Sequence, residues 1–314
     1  MNISFLKKIF LFFVLLYIFL KITDGSEKIF LIINQTNFFY LIITIIFVFT
    51  LILLATYLNM IIYNKFIKKK ITANYFFYSF IKSQILSYIY SLIGVVYRYH
   101  IFKNKITLEN FIHINFFIIW FFLFFYLFLY SFELLIFGFF LFPINFYIFI
   151  FLILTSIFVF IFPKIFKILK FKLLINLKNK IKNFSIFKNT KTKIYKFYSY
   201  LSIELFFLAF LNHLISFLQI FFIFKMLNIP IQFNNLILIF VINSLLDQLP
   251  VITPKNIGVS EIIFGYIAEI GGLNFDYGVL FKFFLRFFNL FTLIFIFFLF
   301  KFKNNLLTIL KPIK

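Results

Sequence analysis

Leu245-Leu246-Asp247-Gln248-Leu249-Pro250-Val251-Ile252-Thr253-Pro254-Lys255-Asn256-Ile257-Gly258-Val259-Ser260-Glu261 is the stretch that decides how this chain folds. Around it the sequence is written mostly in Phe, Ile, Leu and Lys. Here two prolines, a glycine and carboxylates interrupt the apolar text, and Arg286, one of only two arginines in the chain, follows inside a Phe-rich span. Pro250 and Pro254 each remove a backbone donor and restrict the residue before them, so no helix passes through. Polar and helix-breaking residues are costly in lipid, which makes their concentration the first place to look for function.

The surrounding composition is that of a chain solvated by lipid. Hydrophobic residues make up 64% and charged residues 13% of its 314 residues, and the mean hydropathy is +1.08. Soluble domains are near half apolar and a quarter charged. The expected fold is an all-α polytopic membrane protein with about six full spans and two re-entrant or broken-helix segments. The formal charge of +22 reflects 31 Lys and Arg against 9 Asp and Glu. These lysines sit between apolar spans rather than among stacking aromatics, so they read as cytoplasmic loops and not as a nucleic-acid surface. They would also attract anionic headgroups. With no cysteine and three well-separated histidines (His100, His113, His213), neither a disulfide nor a metal site is expected, and no cofactor is called for.

In chain order, Lys7 and Lys8 precede a first apolar run, Ile9–Ile22, which lacks a small-residue cleavage site and reads as a retained span. Phe38–Ile62 is a second span ending in Lys68-Lys69-Lys70. Ala73–Val96 is diluted by polar residues and flanked by positive charge on both sides, so it reads as a re-entrant hairpin or a surface helix, with an ordinary span as the alternative. Phe111–Tyr130 is a span whose external turn carries Glu133, and Phe139–Phe162 returns. Residues 164–196 hold eleven lysines and no acid, a strong cytoplasmic anchor. They divide one membrane domain, 1–314, into halves of about 1–163 and 197–314.

In the second half, Phe197–Phe224 is a span containing Glu204, Asn212, His213, Ser216 and Gln219. Asn212, Ser216 and Gln219 share a helix face. Leu236–Leu249 and Gly258–Ile270 are each too short to cross, and Tyr277–Phe300 is the last span. If both termini are cytoplasmic, 236–270 enters and leaves externally while 73–105 does so internally. Two pinched segments entering from opposite faces are the trace of an inverted repeat with a site near the midplane.

The candidate site follows from charge. Arg286 is ten residues past Asp276, about 15 Å into the bilayer, with Lys282 one turn earlier on the same face. An intramembrane arginine needs an anion, and Glu261, Asp247, Glu269 or a lipid phosphate are the candidates. Glu261 also reads as a helix-end acid placed by the dipole. Lipid-phosphate binding is thus assigned to Arg286 and Lys282, and charge balance to Glu261, Asp247 and Gln248. The re-entrant turn is assigned to Pro250, Thr253, Pro254, Asn256 and Gly258.

Leu249-Pro250, Pro254, Gly258-Val259-Ser260-Glu261 and then Arg286 resemble the closing motif of the lysylphosphatidylglycerol synthase transmembrane (flippase-like) family. Arg98 sits where that family often carries an arginine after a Pro/Gly turn, although Leu92–Tyr97 lacks the proline, and the resemblance implies lipid-phosphate binding for Arg98 beside Arg286. Lys255-Asn256 replaces the usual glycines. The resemblance implies a multi-pass inner-membrane protein with cytoplasmic termini that handles lipids. No soluble aminoacyl-transferring segment follows, so the chain is not expected to make lysyl-lipid.

Three functions are compatible with these features. The first is flippase-like translocation of an anionic phospholipid or a polyprenyl-linked sugar. The second is a membrane-embedded transferase acting on a lipid-linked substrate, for which Asp24 and Glu27 are the only early acids. The third is a non-catalytic partner of envelope-biosynthesis enzymes.

Overall fold

The computed structural model describes residues 36–67, 70–89, 91–133, 136, 150–164, 197–248, 259–270 and 272–309. Among them the fold is all-α. Four helices are long and apolar enough to cross a membrane: α1 (Phe38–Phe66), α4 (Leu108–Glu133), α7 (Ile203–Met226) and α10 (Phe275–Ile309). Between them lie α2 (Ala73–Ile89), α3 (Ser91–Phe102), α5 (Ile150–Lys164), the single turn α6 (Phe197–Tyr200), α8 (Phe233–Gln248) and α9 (Val259–Ile270). The expected first span, Ile9–Ile22, the basic stretch 165–196 and the start of the Phe139–Phe162 span lie outside the described residues. Large apolar side chains stay exposed on the long helices, for example Ile46, Ile119, Phe207 and Phe295. That is the surface of a protein whose solvent is hydrocarbon.

The polar residues inside these spans mostly satisfy themselves. Thr44, Thr56, Asn59 and Asn115 each donate to the carbonyl four residues earlier, at 2.7–2.8 Å. A helix carbonyl can accept this second bond, so a polar group stays in lipid without a distant partner.

Two compact units make up the chain, each drawn from two stretches of sequence. One comprises Met1–Val48 with Phe217–Leu290, the other Phe49–Ser216 with Phe291–Lys314.

The second of these units has a core of rings. Tyr63 of α1 packs edge-on to Phe76 of α2 at 5.3 Å, and Phe102 of α3 stacks on Phe76 at 5.5 Å. Trp120 of α4 donates its indole N–H to the Val159 carbonyl (2.7 Å), and the Tyr198 hydroxyl donates to the Phe160 carbonyl (2.5 Å). Each thus buries a large apolar body while its one polar atom is bonded.

The diluted segment 73–96 is a helical hairpin. At 12 residues, α3 is about 18 Å long and cannot cross hydrocarbon about 30 Å thick. It folds back on α2, with Tyr75 donating to the Ile101 carbonyl at 3.3 Å. A Cβ at Gly94 would run into the Ser87 hydroxyl and the Ser83 carbonyl, so glycine permits the two helices to touch.

One expected span needs correcting. Phe197–Phe224 is interrupted at Leu201-Ser202, and α7 begins only at Ile203. Ser202 is its N-cap, accepting from the Leu205 N–H at 3.4 Å, and Glu204 falls in the first turn. Lys65 closes the break by donating to the Tyr200 carbonyl (3.0 Å) and the Ser202 hydroxyl (2.6 Å).

In the other unit two helix ends are built alike. At the end of α7 the Ile229 N–H reaches the Phe224 carbonyl and the Asn228 N–H reaches that of Lys225, with Asn228 at φ 53°. At the end of α9, Leu273 bonds Ala268 and Gly272 bonds Glu269, with Gly272 at φ 75°. Both are Schellman closures, which use a left-handed residue to satisfy the last carbonyls. The second turns the chain sharply enough for α10 to run back along α9.

That return demands close contact. A Cβ on Gly278 of α10 would meet the Phe264 carbonyl and the Ala268 Cβ of α9, both fixed by backbone. Gly278→Ala would improve helix propensity on an isolated helix. Here we expect it to destabilise the protein by about 1–3 kcal/mol through overpacking. Thermal unfolding in detergent checks this, and an unchanged or raised Tm would show that α9 and α10 do not meet at Gly278.

Candidate functional site

The candidate site is assembled on the α9–α10 hairpin. Because the helices are antiparallel, each turn along α10 meets an earlier turn of α9. Gly278 faces Ala268 and Phe264, Lys282 faces Phe264, and Arg286 faces Ser260 and Glu261. Spacing of four residues on α10 therefore aligns one glycine and two cations along a single seam.

At the far end of that seam the charge is balanced. Arg286 Nη1 donates to Glu261 Oε1 at 2.5 Å, and Nη2 donates to the Ser260 hydroxyl at 2.6 Å. Ser260 in turn lies 3.4 Å from Glu261 Oε2, as a donor. The three side chains close a ring in which one hydroxyl both accepts and donates. Arg286 and Glu261 retain only 15% and 8% of their side-chain exposure, so neither charge is relieved by water. Glu261 also stands in the first turn of α9, where the helix dipole favours a carboxylate. Sequence reasoning named Glu261 as a partner for Arg286 and as a helix-end acid, and it occupies both positions.

One turn earlier, Lys282 is almost wholly buried. Its ammonium donates to Asn243 Oδ1 at 2.5 Å and sits 5.1 Å from the centre of the Phe264 ring. Asn243 belongs to α8, so this one cation joins α8, α9 and α10. Asn243 was not among the candidate residues read from sequence. Its signal was spacing alone, since it lies four residues before Asp247 and shares that residue's helix face.

Asp247 and Gln248 lie in the last turn of α8, and their side chains fall outside the described residues. So does the whole turn assigned to Pro250, Thr253, Pro254, Asn256 and Gly258. The two short helices on either side of it are as expected. α8 begins at Phe233, three residues before the expected start, and α9 has 12 residues.

Arg98 belongs to the other compact unit and lies on α3 of the α2–α3 hairpin. It is buried, with its guanidinium 4.7 Å from the centre of the Phe80 ring on α2. Its Nε has no hydrogen-bond partner among the described residues, and no carboxylate pairs with it there. The neighbouring buried hydroxyl of Tyr63 lies close enough to the guanidinium to interact with it, without the geometry of a hydrogen bond. Of the three cations assigned to lipid phosphate, Arg286 and Lys282 are thus held by protein partners, and Arg98 by an aromatic face.

A further cluster escaped the sequence reading. His213 of α7 lies 2.5 Å from Glu133 at the end of α4, and the neighbouring Asn212 donates to the Tyr126 hydroxyl at 2.9 Å. Glu133 reads in sequence as part of an external turn, and nothing in the spacing of α4 and α7 tells their relative depth. Among the described residues no three His, Asp or Glu side chains converge as a metal site would require.

No protein-family model, no curated protein and no solved structure matches this chain. The site therefore rests on its own geometry, and the Lys282–Asn243 contact offers a direct check. Asn243→Leu leaves a buried ammonium short of an acceptor, whereas Lys282→Met removes the charge itself and keeps most of the volume. Taking an acceptor away from a buried charged donor costs more than removing the donor, so we expect Asn243→Leu to lower stability by about 1–3 kcal/mol and Lys282→Met by less. Chemical denaturation of the two variants in the same detergent decides the order; the reverse order contradicts the contact.

Proposed function

We propose that this membrane protein handles a lipid with an anionic headgroup, in a flippase-like manner, and that Arg98 is the residue that takes the phosphate. The observation that carries the reading is the state of that side chain. A guanidinium buried among helices is costly unless an anion or a strong substitute accompanies it. Arg286 has Glu261. Arg98 has the face of Phe80 and a buried Nε with no acceptor among the described residues. A ring face partly offsets the loss of water, by about 2 kcal/mol when desolvated. It does not complete a planar set of five donors. A phosphate diester, with its two unesterified oxygens, matches that fork bidentately.

The placement of Arg98 supports a lipid rather than a soluble anion. The α2–α3 hairpin carries exposed apolar residues beside it, including Leu92, Ile93 and Val96. A headgroup reaching Arg98 would therefore leave acyl chains against an apolar surface. Lysines flank the hairpin at Lys70, Lys103 and Lys105, and such residues gather anionic lipids at a membrane surface by about 1 kcal/mol each. The resemblance noted around Leu249–Arg286 points to the same class of substrate.

In this reading Arg286 and Lys282 do not bind substrate. They hold α8, α9 and α10 together around their own partners, and Glu261 serves as the counter-charge of Arg286.

Translocation of a fluorescent phosphatidylglycerol in reconstituted vesicles tests the proposal. We expect Arg98→Ala to slow movement at least about tenfold, the loss of one charge-assisted bidentate contact. Arg98→Lys should restore only part of the rate, because a point charge replaces a fork. A neutral-headgroup lipid should be moved poorly by every variant. Wild-type rates in folded Arg98→Ala protein would remove Arg98 from the proposal.

A further inference from the structure

Tyr63 carries a buried hydroxyl with no hydrogen-bond partner among the described residues. It stands on α1 inside a layer of rings. Phe76 of α2 meets it edge-on at 5.3 Å, Phe102 of α3 is tilted against it at 5.7 Å, and Phe111 of α4 lies edge-on at 6.3 Å. Its neighbours in the layer are all phenylalanines, and Tyr63 itself is 0% exposed. A phenylalanine here would keep every one of those ring contacts. The hydroxyl instead adds a polar atom, which a dry interior penalises unless it is bonded.

The hydroxyl reaches toward the next layer. Four residues along from the rings, on the same helix faces, are Phe80 on α2, Arg98 on α3 and Asn115 on α4. The Arg98 guanidinium and the Asn115 amide both lie near enough to the phenol oxygen to act on it as donors, without the geometry of a hydrogen bond. Asn115 gives one N–H to the Phe111 carbonyl at 2.7 Å, which leaves its second N–H for Tyr63. Arg98 lies against the Phe80 ring with its Nε buried and unbonded.

This layer is rich in donors and short of acceptors. A guanidinium has five N–H groups and nothing to accept with, and the amide also turns a donor to Tyr63. Both groups beside the phenol thus offer hydrogens to its oxygen, and neither takes the hydrogen of its O–H. The Arg98 Nε–H is in the same position. Two neighbouring buried donors therefore want an acceptor, and beside a guanidinium the best acceptor is an anionic oxygen. Donation into the phenol oxygen also polarises its O–H, which makes Tyr63 a stronger donor than a lone phenol.

We propose that Tyr63 is a second ligand of the phosphate taken by Arg98, an inference that rests on the function proposed above. The guanidinium fork meets the two unesterified oxygens of a phosphate diester, and the Tyr63 O–H adds a bond to one of them. Being uncharged, Tyr63 strengthens the contact without disturbing the balance of one guanidinium against one singly charged diester. Asn115 is half-buried and Arg98 keeps 8% of its exposure, so they mark the side from which a headgroup arrives. Tyr63 is the floor of the site.

Isothermal titration calorimetry of the full-length protein in detergent, with a short-chain phosphatidylglycerol, tests this. Tyr63→Phe removes a single oxygen and keeps the ring layer. We expect it to bind about tenfold more weakly than wild type, the loss of one hydrogen bond to a charged acceptor. Its ligand-free Tm should be equal or higher, because an unbonded hydroxyl has gone. Wild-type affinity in Tyr63→Phe, with Arg98→Ala impaired, would overturn the role of Tyr63 and leave the lipid reading intact. A lowered ligand-free Tm would overturn it as well, since the hydroxyl would then have a partner within the protein. Dimethyl phosphate bound as tightly as the lipid, with the same dependence on Tyr63, would overturn the lipid reading and leave the two-residue anion site in place. Binding of neither ligand by the wild type would overturn both.

Discussion

A guanidinium placed among apolar helices must be answered by an anion from the same chain or from a ligand, and the α8–α10 region is arranged around that requirement. Arg286 can reach Ser260 and Glu261 only if α10 runs back along α9 at close range. Close range in turn requires Gly278 where the helices touch, since a side chain there would strike the Phe264 carbonyl. It requires a tight reversal as well, which Gly272 supplies by taking a left-handed conformation and closing the last carbonyls of α9. Lys282 extends the same logic one turn along, drawing α8 into the contact through Asn243. Charge placement, glycine placement and turn chemistry are thus consequences of one another.

The other unit meets the demands of hydrocarbon with different means. Its interior is a continuous set of rings, with Tyr63, Phe76, Phe102, Phe117 and Phe121 nearly inaccessible. Several of its polar side chains are satisfied locally, by carbonyls of their own helix, and Trp120 and Tyr198 by carbonyls of α5. Against this background Arg98 stands apart, lying on a ring with no acid beside it among the described residues. That placement is what suits it to receiving an anion in the function proposed above.

Much of the architecture was legible because lipid makes length and polarity decisive. Helices α1, α4 and α10 follow the long apolar runs, and the short helices α8 and α9 follow from the prolines and glycine between them. The need of Arg286 for an anion was legible, with Glu261 one candidate beside Asp247, Glu269 and a lipid phosphate; the choice of Glu261 shows only in the structure. The break at Ser202 was not, because Tyr200-Leu201-Ser202-Ile203 continues an apolar run without a proline. Its cap shows only in the hydrogen bonds of Ser202 and Lys65. Asn243 went unread because a neutral amide announces no charge that needs balancing. The Glu133–His213 contact depends on how far α4 and α7 are shifted along each other, and hydropathy carries no information about that offset. Arg98 was read as a phosphate ligand through the family resemblance at its position after a pinched segment, whereas its seat on Phe80 follows from hairpin register.

The coupling between Glu261 and Arg286 is the claim on which the α8–α10 arrangement depends, and a double-mutant cycle measures it most directly. Stability of the wild type, Glu261→Gln, Arg286→Gln and the double variant would be determined by denaturation in one detergent. Removing one member of a buried pair strands the other charge, so each single change should cost about 3–5 kcal/mol. The double variant should be distinctly more stable than the sum of the two losses, since two neutral amides can bond each other and Ser260. Additive losses would contradict the pairing and with it the account of why α9 and α10 approach so closely.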